Sequence, residues 1–119
     1  IAIVDRFLEH SRIYRFHHKG KEKVLLSSSD WMTRNLDRRV EVAFPIYEQK
    51  MMREVMDFFE IQWKDNVKAR VLDAELQNHY RKRTGKAVRS QHDLYDYLSS
   101  HKPENARKHI KKQLLSKSI

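Results

Sequence analysis

The chain has 119 residues, 39% hydrophobic and 34% charged, with 25 Lys and Arg against 16 Asp and Glu for a formal net charge of +9. That length supports one core and not two, and apolar residues gathered into periodic segments argue against disorder. The absence of cysteine excludes a disulfide framework and a thiolate metal site, and no apolar run approaches the roughly 20 residues that cross a bilayer. A basic surface points instead to polyanions: nucleic acid, acidic lipid, nucleotides or inorganic polyphosphate.

Ile1-Ala2-Ile3-Val4 lacks the long apolar core and cleavage site of a signal peptide, and reads as the start of a piece cut from a longer protein. Ile3, Val4, Phe7 and Leu8 fall at helical spacing and predict a short helix over residues 3–8, ending near His10. Residues 12–16 alternate as a strand does. Residues 17–21 form a polar turn containing Gly20, and residues 23–27 return as a second strand, so the segment reads as a β-hairpin. Ser27-Ser28-Ser29-Asp30 is a hydroxyl-rich loop, with Asp30 expected to cap a helical turn beginning at Trp31. Val40, Val42 and Phe44 share one face of a strand over residues 40–46, closed by Pro45.

From Glu48 to Trp63 the period becomes helical. Met51, Met52, Val55, Met56, Phe59 and Trp63 form a wide stripe that reads as core packing. Residues 67–72 are read as either a third β segment or the lead into a helix. A basic loop follows at 81–86, then a helix over 90–98 with Ser90 as its cap. Pro103 breaks the chain before a basic, weakly amphipathic tail carrying Ala106, Ile110 and Leu114. Strands first and helices later predict an α/β (α+β layered) architecture, with one domain over residues 1–101 and a basic tail over 102–119.

The residues that carry chemistry concentrate between positions 8 and 41: His10, Arg12, Ser28, Asp30, Arg34, Asn35, Arg39 and Glu41. Phosphoryl transfer uses these types. An imidazole serves as nucleophile or acid/base near neutral pH, and guanidiniums grip phosphate oxygens and offset charge on the moving group. By residue type alone His10 stays open between a structural and a catalytic histidine, and the serine run between an ordinary loop and a phosphate cradle. His17 and His18 read as a surface turn rather than a metal pair, because neighbours in a strand point to opposite faces. The loop at 81–86 is open between a polyphosphate channel lining and a solvated surface.

Phe7-Leu8-Glu9-His10-Ser11-Arg12, then Ser27-Ser28-Ser29-Asp30-Trp31-Met32-Thr33-Arg34-Asn35, then Arg39-Val40-Glu41-Val42, resemble the wording of polyphosphate kinases. Val67-Lys68-Ala69-Arg70 and Tyr95-Asp96-Tyr97 extend the resemblance, which runs from about residue 3 to residue 98. The layout is also similar to one half of a phospholipase D site (His-x-Lys, later Gly-Ser-x-Asn), with Arg for Lys, Ser for Gly and Asp for Asn. The resemblance implies half of a phospholipase D-like domain in an enzyme that reversibly moves the terminal phosphate of ATP onto inorganic polyphosphate. It implies a phosphohistidine outside this chain, and magnesium (Mg2+) and adenine sites likewise mainly outside it. His10 becomes the second histidine, an acid/base beside the ATP phosphates, with Arg39 as its partner there. Arg12 and Arg34 add phosphate contacts, and Ser28 and Asn35 shape the loop. Asp30 or Glu41 either orient His10 or an arginine, or make purely structural ion pairs.

The partners implied are ATP, polyphosphate, the preceding domains of the same polypeptide and further copies in a homo-oligomer. The implied location is cytoplasmic, with association at the inner membrane face open, and the fragment alone is expected to be inactive. Two alternatives remain at this stage. A nucleic-acid-binding module lacks the stacking aromatics interleaved with Lys and Arg that such surfaces use, and Arg12 and Asp30 count against a phospholipase D-like nuclease or lipase half-site.

Overall fold

A computed structural model describes residues 1–100. The expected chain break at Pro103 and the tail over 102–119 lie outside the described residues. In chain order the elements are β1 (Ala2–Ile3), β2 (Ile13–His18), β3 (Lys21–Ser27), α1 (Thr33–Arg38), β4 (Ala43–Pro45), α2 (Gln49–Trp63), β5 (Ala69–Arg70) and α3 (Ser90–Ser100). They form two open antiparallel sheets, one ordered β2-β3-β4 and the other pairing β1 with β5. The mixed α/β architecture expected from the sequence is therefore present.

The hairpin is tighter than its sequence suggested. Strand pairing continues through His17 opposite Glu22 and His18 opposite Lys21, which leaves only Lys19 and Gly20 in the turn. Both have positive φ, 48° and 80°, as a two-residue turn that follows the right-handed strand twist requires. Arg15 fastens this arm to its surroundings, reaching Glu22 on β3 (2.9 Å) and Glu60 on α2 (2.8 Å). β4 is shorter than the expected strand over 40–46. Pro45 lies within it opposite Leu25, a position open to proline because the edge strand has no neighbour to receive an N–H.

Other expectations fail. Residues 3–8 are not helical: Ala2 and Ile3 pair with Arg70 and Ala69, and the chain then runs irregularly with Phe7 and Leu8 exposed. Six residues cannot offset helix nucleation when a strand partner is at hand. Asp30 caps nothing, since α1 begins at Thr33 behind Met32 without a side-chain cap. The stripe on α2 is only half covered, with Met52, Val55, Met56 and Phe59 half-buried. No residue of that helix is buried, and Met51 and Trp63 are 57% and 54% exposed. Glu48 does start α2, its carboxylate accepting from the N–H groups of Lys50 (2.8 Å) and Met51 (2.6 Å).

The buried centre is small and half polar. Val24, Ile46, Ala69 and Leu94 share it with Ser29, Asn35, Asp65 and Ser90. Asp65 sits just past the end of α2 and gathers four backbone N–H groups. Its Oδ1 accepts from Val67 (3.0 Å), Lys68 (2.7 Å) and Ala69 (2.9 Å), and its Oδ2 accepts from Ser90 (2.8 Å). One carboxylate thus ties α2, β5 and the start of α3 together. Ser90 opens α3 on this bond rather than acting as the expected side-chain cap. Burial pushes the Asp65 carboxyl up, but the N–H groups of Ser90, Lys68 and Ala69 outweigh it and hold the group below its ordinary value.

Candidate functional site

Residues 4–11, which lead to His10, are held from two sides. Arg89, just before α3, makes a forked pair with Asp5, Nε to Oδ2 at 2.8 Å and Nη2 to Oδ1 at 2.6 Å. Gln91 then clasps the backbone of Phe7, donating Nε2 to its carbonyl (2.7 Å) and accepting its N–H on Oε1 (3.0 Å). Glu9 accepts from Gln62 on α2 (2.6 Å) and from Gln91 on α3 (2.8 Å), and Ser11 donates to Gln62 (3.2 Å). A segment without regular structure is thereby positioned by side chains from both long helices, and it delivers His10 to the base of the hairpin.

There the candidate residues fall into two hydrogen-bonded sets. In the first, Arg12 donates Nε to Asp30 Oδ1 at 2.6 Å and directs Nη2 at His10 Nε2, also at 2.6 Å. The Arg12 guanidinium holds the Asp30 carboxyl below its usual value, against a smaller opposing effect of burial, with help from the charge of Arg34. Asp30 reciprocally pushes the Arg12 guanidinium further up. In the second set Glu41 accepts from the Ser28 hydroxyl and from Asn35 Nδ2 (2.7 Å), and both bonds keep it ionised below its ordinary range. Ser28 also accepts the N–H of Val42 (3.1 Å), while its own N–H goes to the Val42 carbonyl (3.0 Å). Buried Asn35 anchors α1, and its Oδ1 has no hydrogen-bond partner among the described residues.

The two sets are electrostatically joined, because Glu41 feels the charges of Arg39 and Arg12. Arg34, on α1, and Arg39, immediately after it, make no hydrogen bond or ion pair among the described residues. No hydrogen bond joins His10 to Arg39; the link runs through Arg12 and Glu41. The loop between the sets is braced by Tyr14, whose hydroxyl donates to the Ser29 carbonyl at 3.0 Å and whose ring lies 6.0 Å from that of Trp31.

Elsewhere, Arg81 is committed. It donates to the carbonyls of Trp63 (2.5 Å) and Asp65 (3.2 Å), finishing the end of α2, while Asn66 folds the loop behind it through the carbonyls of Thr84 and Lys86. Lys82, Arg83 and Lys86 stay exposed. His17 is a partner of Glu22 at 3.4 Å and faces solvent. No group of three or more His, Cys, Asp or Glu among the described residues can hold a metal ion. No helix among them is long and apolar enough to cross a membrane.

The supports of His10 were not read from the sequence as functional. Asp5, Glu9, Gln62, Gln91 and Arg89 act over up to 84 residues of separation, which no local pattern records. Asp65 had a signal: an Asp-Asn pair at a helix end is a frequent site of side-chain to backbone turns.

Fold and site together define a mixed α/β domain that presents one histidine among arginines, each carboxylate of the site already held by hydrogen bonds. Residues 1–91 match the family described as Polyphosphate kinase C-terminal domain 2. The chain is 50% identical over 101 residues to polyphosphate kinases of Klebsiella pneumoniae and Escherichia coli strain K12, covering 84% of this chain and 15% of each relative. It is 44% identical over 114 residues to that of Vibrio vulnificus strain YJ016, covering 95% of this chain and 16% of the relative. It also aligns with the crystal structure of polyphosphate kinase from Porphyromonas gingivalis, with a TM-score of 0.77, 47% identity, and coverage of 82% of this chain and 15% of that one. The chain belongs to the polyphosphate kinase family, as its C-terminal domain 2, and spans about 15% of the length of these relatives.

Proposed function

We propose that this domain supplies one side of the active site of an enzyme that transfers the terminal phosphate of ATP to inorganic polyphosphate and back. The observation that carries this reading is the chain Asp30–Arg12–His10 beside the two unengaged guanidiniums of Arg34 and Arg39. The phosphate accepted from ATP is carried by a histidine outside these residues. As the nitrogen–phosphorus bond forms there, the bond from the γ-phosphorus to the β–γ bridging oxygen breaks, and ADP leaves with the negative charge. A terminal oxygen of polyphosphate then attacks the same phosphorus and frees the nitrogen, lengthening the chain by one unit.

His10 would steady or protonate the bridging oxygen. Arg34 and Arg39 would bind phosphate oxygens, and Arg12 would add a contact from its free Nη1 edge. Ser28 and Asn35, through Glu41, keep α1 and the strand after it at a fixed spacing. Magnesium would neutralise phosphate charge when bound, and in this reading its ligands come mainly from other parts of the polypeptide. The partly exposed stripe on α2 fits packing against preceding domains of the same polypeptide. Oligomer formation, and a cytoplasmic site of action with contact at the inner membrane face, complete the reading.

The test uses the intact protein. Replacing His10 by Gln is expected to lower polyphosphate synthesis from ATP by about a hundredfold or more, with thermal melting unchanged. Undiminished turnover in that variant would refute the assignment. The competing possibility, a nucleic-acid-binding surface, predicts that DNA binding at fixed salt ignores His10 and Arg39.

A further inference from the structure

The contact between Arg12 and His10 fixes more than a distance. A guanidinium has N–H groups on every nitrogen and no lone pair to accept with, so at 2.6 Å the hydrogen belongs to Arg12 Nη2 and His10 Nε2 must be the acceptor. A ring whose Nε2 accepts is not an imidazolium. It is neutral, and its one hydrogen sits on Nδ1. Arg12 cannot drift from this task easily, because its Nε is bonded to Asp30 at 2.6 Å and Asp30 is held ionised by that same pair.

Arg12 immediately precedes β2, and its carbonyl accepts the Ser27 N–H at 3.0 Å. Asp30 follows the Ser29 turn braced by Tyr14. Both ends of the pair are therefore set by the hairpin frame, and the ring is set by the pair.

We infer that Asp30 is a positioning residue which, acting through Arg12, holds His10 as a neutral imidazole that works as a hydrogen-bond donor from Nδ1. This rests on the proposed phosphotransfer only for the statement that Nδ1–H faces a phosphate oxygen. It narrows the role of His10. Rather than a cationic acid, it is an electrophilic donor that steadies charge on the departing oxygen, and it becomes a base at Nε2 only if a phosphate draws Arg12 away.

The intact protein, labelled with nitrogen-15 histidine, tests this by solid-state NMR near neutral pH, with His10→Gln identifying the His10 signals by subtraction. The expected wild-type result is a protonated Nδ1 and an unprotonated Nε2. Asp30→Asn should move His10 toward a mixture of tautomers, and Asp30→Glu should restore the wild-type pattern. In steady-state assays Asp30→Asn should lower kcat about 10- to 100-fold, the size of effect seen when a partner orienting a reactive imidazole is lost, with KM for ATP within about twofold. A protonated Nε2 in the wild type, or an unchanged tautomer and kcat in Asp30→Asn, overturns the inference. Full turnover by His10→Gln alongside the expected tautomers sinks the phosphotransfer reading and leaves the tautomer assignment standing.

Discussion

Two groups of carboxylates divide the labour of this domain. Asp65 has no exposed surface and receives four backbone N–H groups, from residues 67, 68, 69 and 90. Asp30 and Glu41 lie nearer the solvent, and their chief partners are the side chains of Arg12, Ser28 and Asn35. The first arrangement fixes the path of the main chain. The second fixes the direction of groups that meet a substrate. The same functional group, held low in pKa in both places, builds the fold in one and orients the site in the other.

That comparison breaks most visibly at Asp65. Asp65→Ala strands four N–H donors, at least two of them buried, and is expected to cost about 3–5 kcal/mol of stability by urea denaturation. Loss of activity in this variant should follow the unfolded fraction. Asp30→Asn, by contrast, should lower kcat with little change in the urea midpoint, because a carboxylate with a side-chain exposure of 37% contributes little to folding. An unfolded Asp30→Asn, or a stable Asp65→Ala, would erase the distinction.

A smaller effect concerns the Asp5–Arg89 fork, which belongs with Asp65 in building the chain path. Arg89 lowers the Asp5 carboxyl from 3.8 to about 2, and the carboxylate is 2% exposed. Because its folded value is depressed, its contribution is fully present above pH 3.8 and is lost as pH falls through about 2. The urea midpoints of wild type and Asp5→Asn should therefore differ by a constant amount from pH 7 to about 5, and converge below about 4. A gap still undiminished at pH 2 would show that the carboxylate charge is not the source. Smallest of all is Arg15. Its bridges to Glu22 and Glu60 are partly exposed, so a double-mutant cycle with Glu60 should read about 0.2–1 kcal/mol and shrink in salt.

Legibility followed distance along the chain. The hairpin, α2 and α3 are local patterns, and each is present close to where its residues indicate. The strand β1 was hidden because its partner, β5, lies 67 residues away and the apolar spacing of Ile3, Val4, Phe7 and Leu8 imitates a helix turn. Asp30 is a good N-cap type three residues before a helix, yet a nearby guanidinium competes for it and prevails. The α2 stripe has the right period for a buried face. Period reports which side of a helix is apolar and not whether this chain covers it. The set of candidate residues was visible because it lies within 32 consecutive positions, from 10 to 41; the side chains that aim it were not.

The partly exposed face of α2 has a consequence for the domain as a solute. Met51 and Trp63 stand more than half exposed on a molecule whose formal net charge is +9. Like-charge repulsion keeps such molecules apart in dilute buffer, but salt near 0.15 M confines that repulsion to about 8 Å while leaving the attraction between apolar faces intact. The isolated chain is therefore expected to lose solubility as ionic strength rises, a trend that light scattering across a salt series would check.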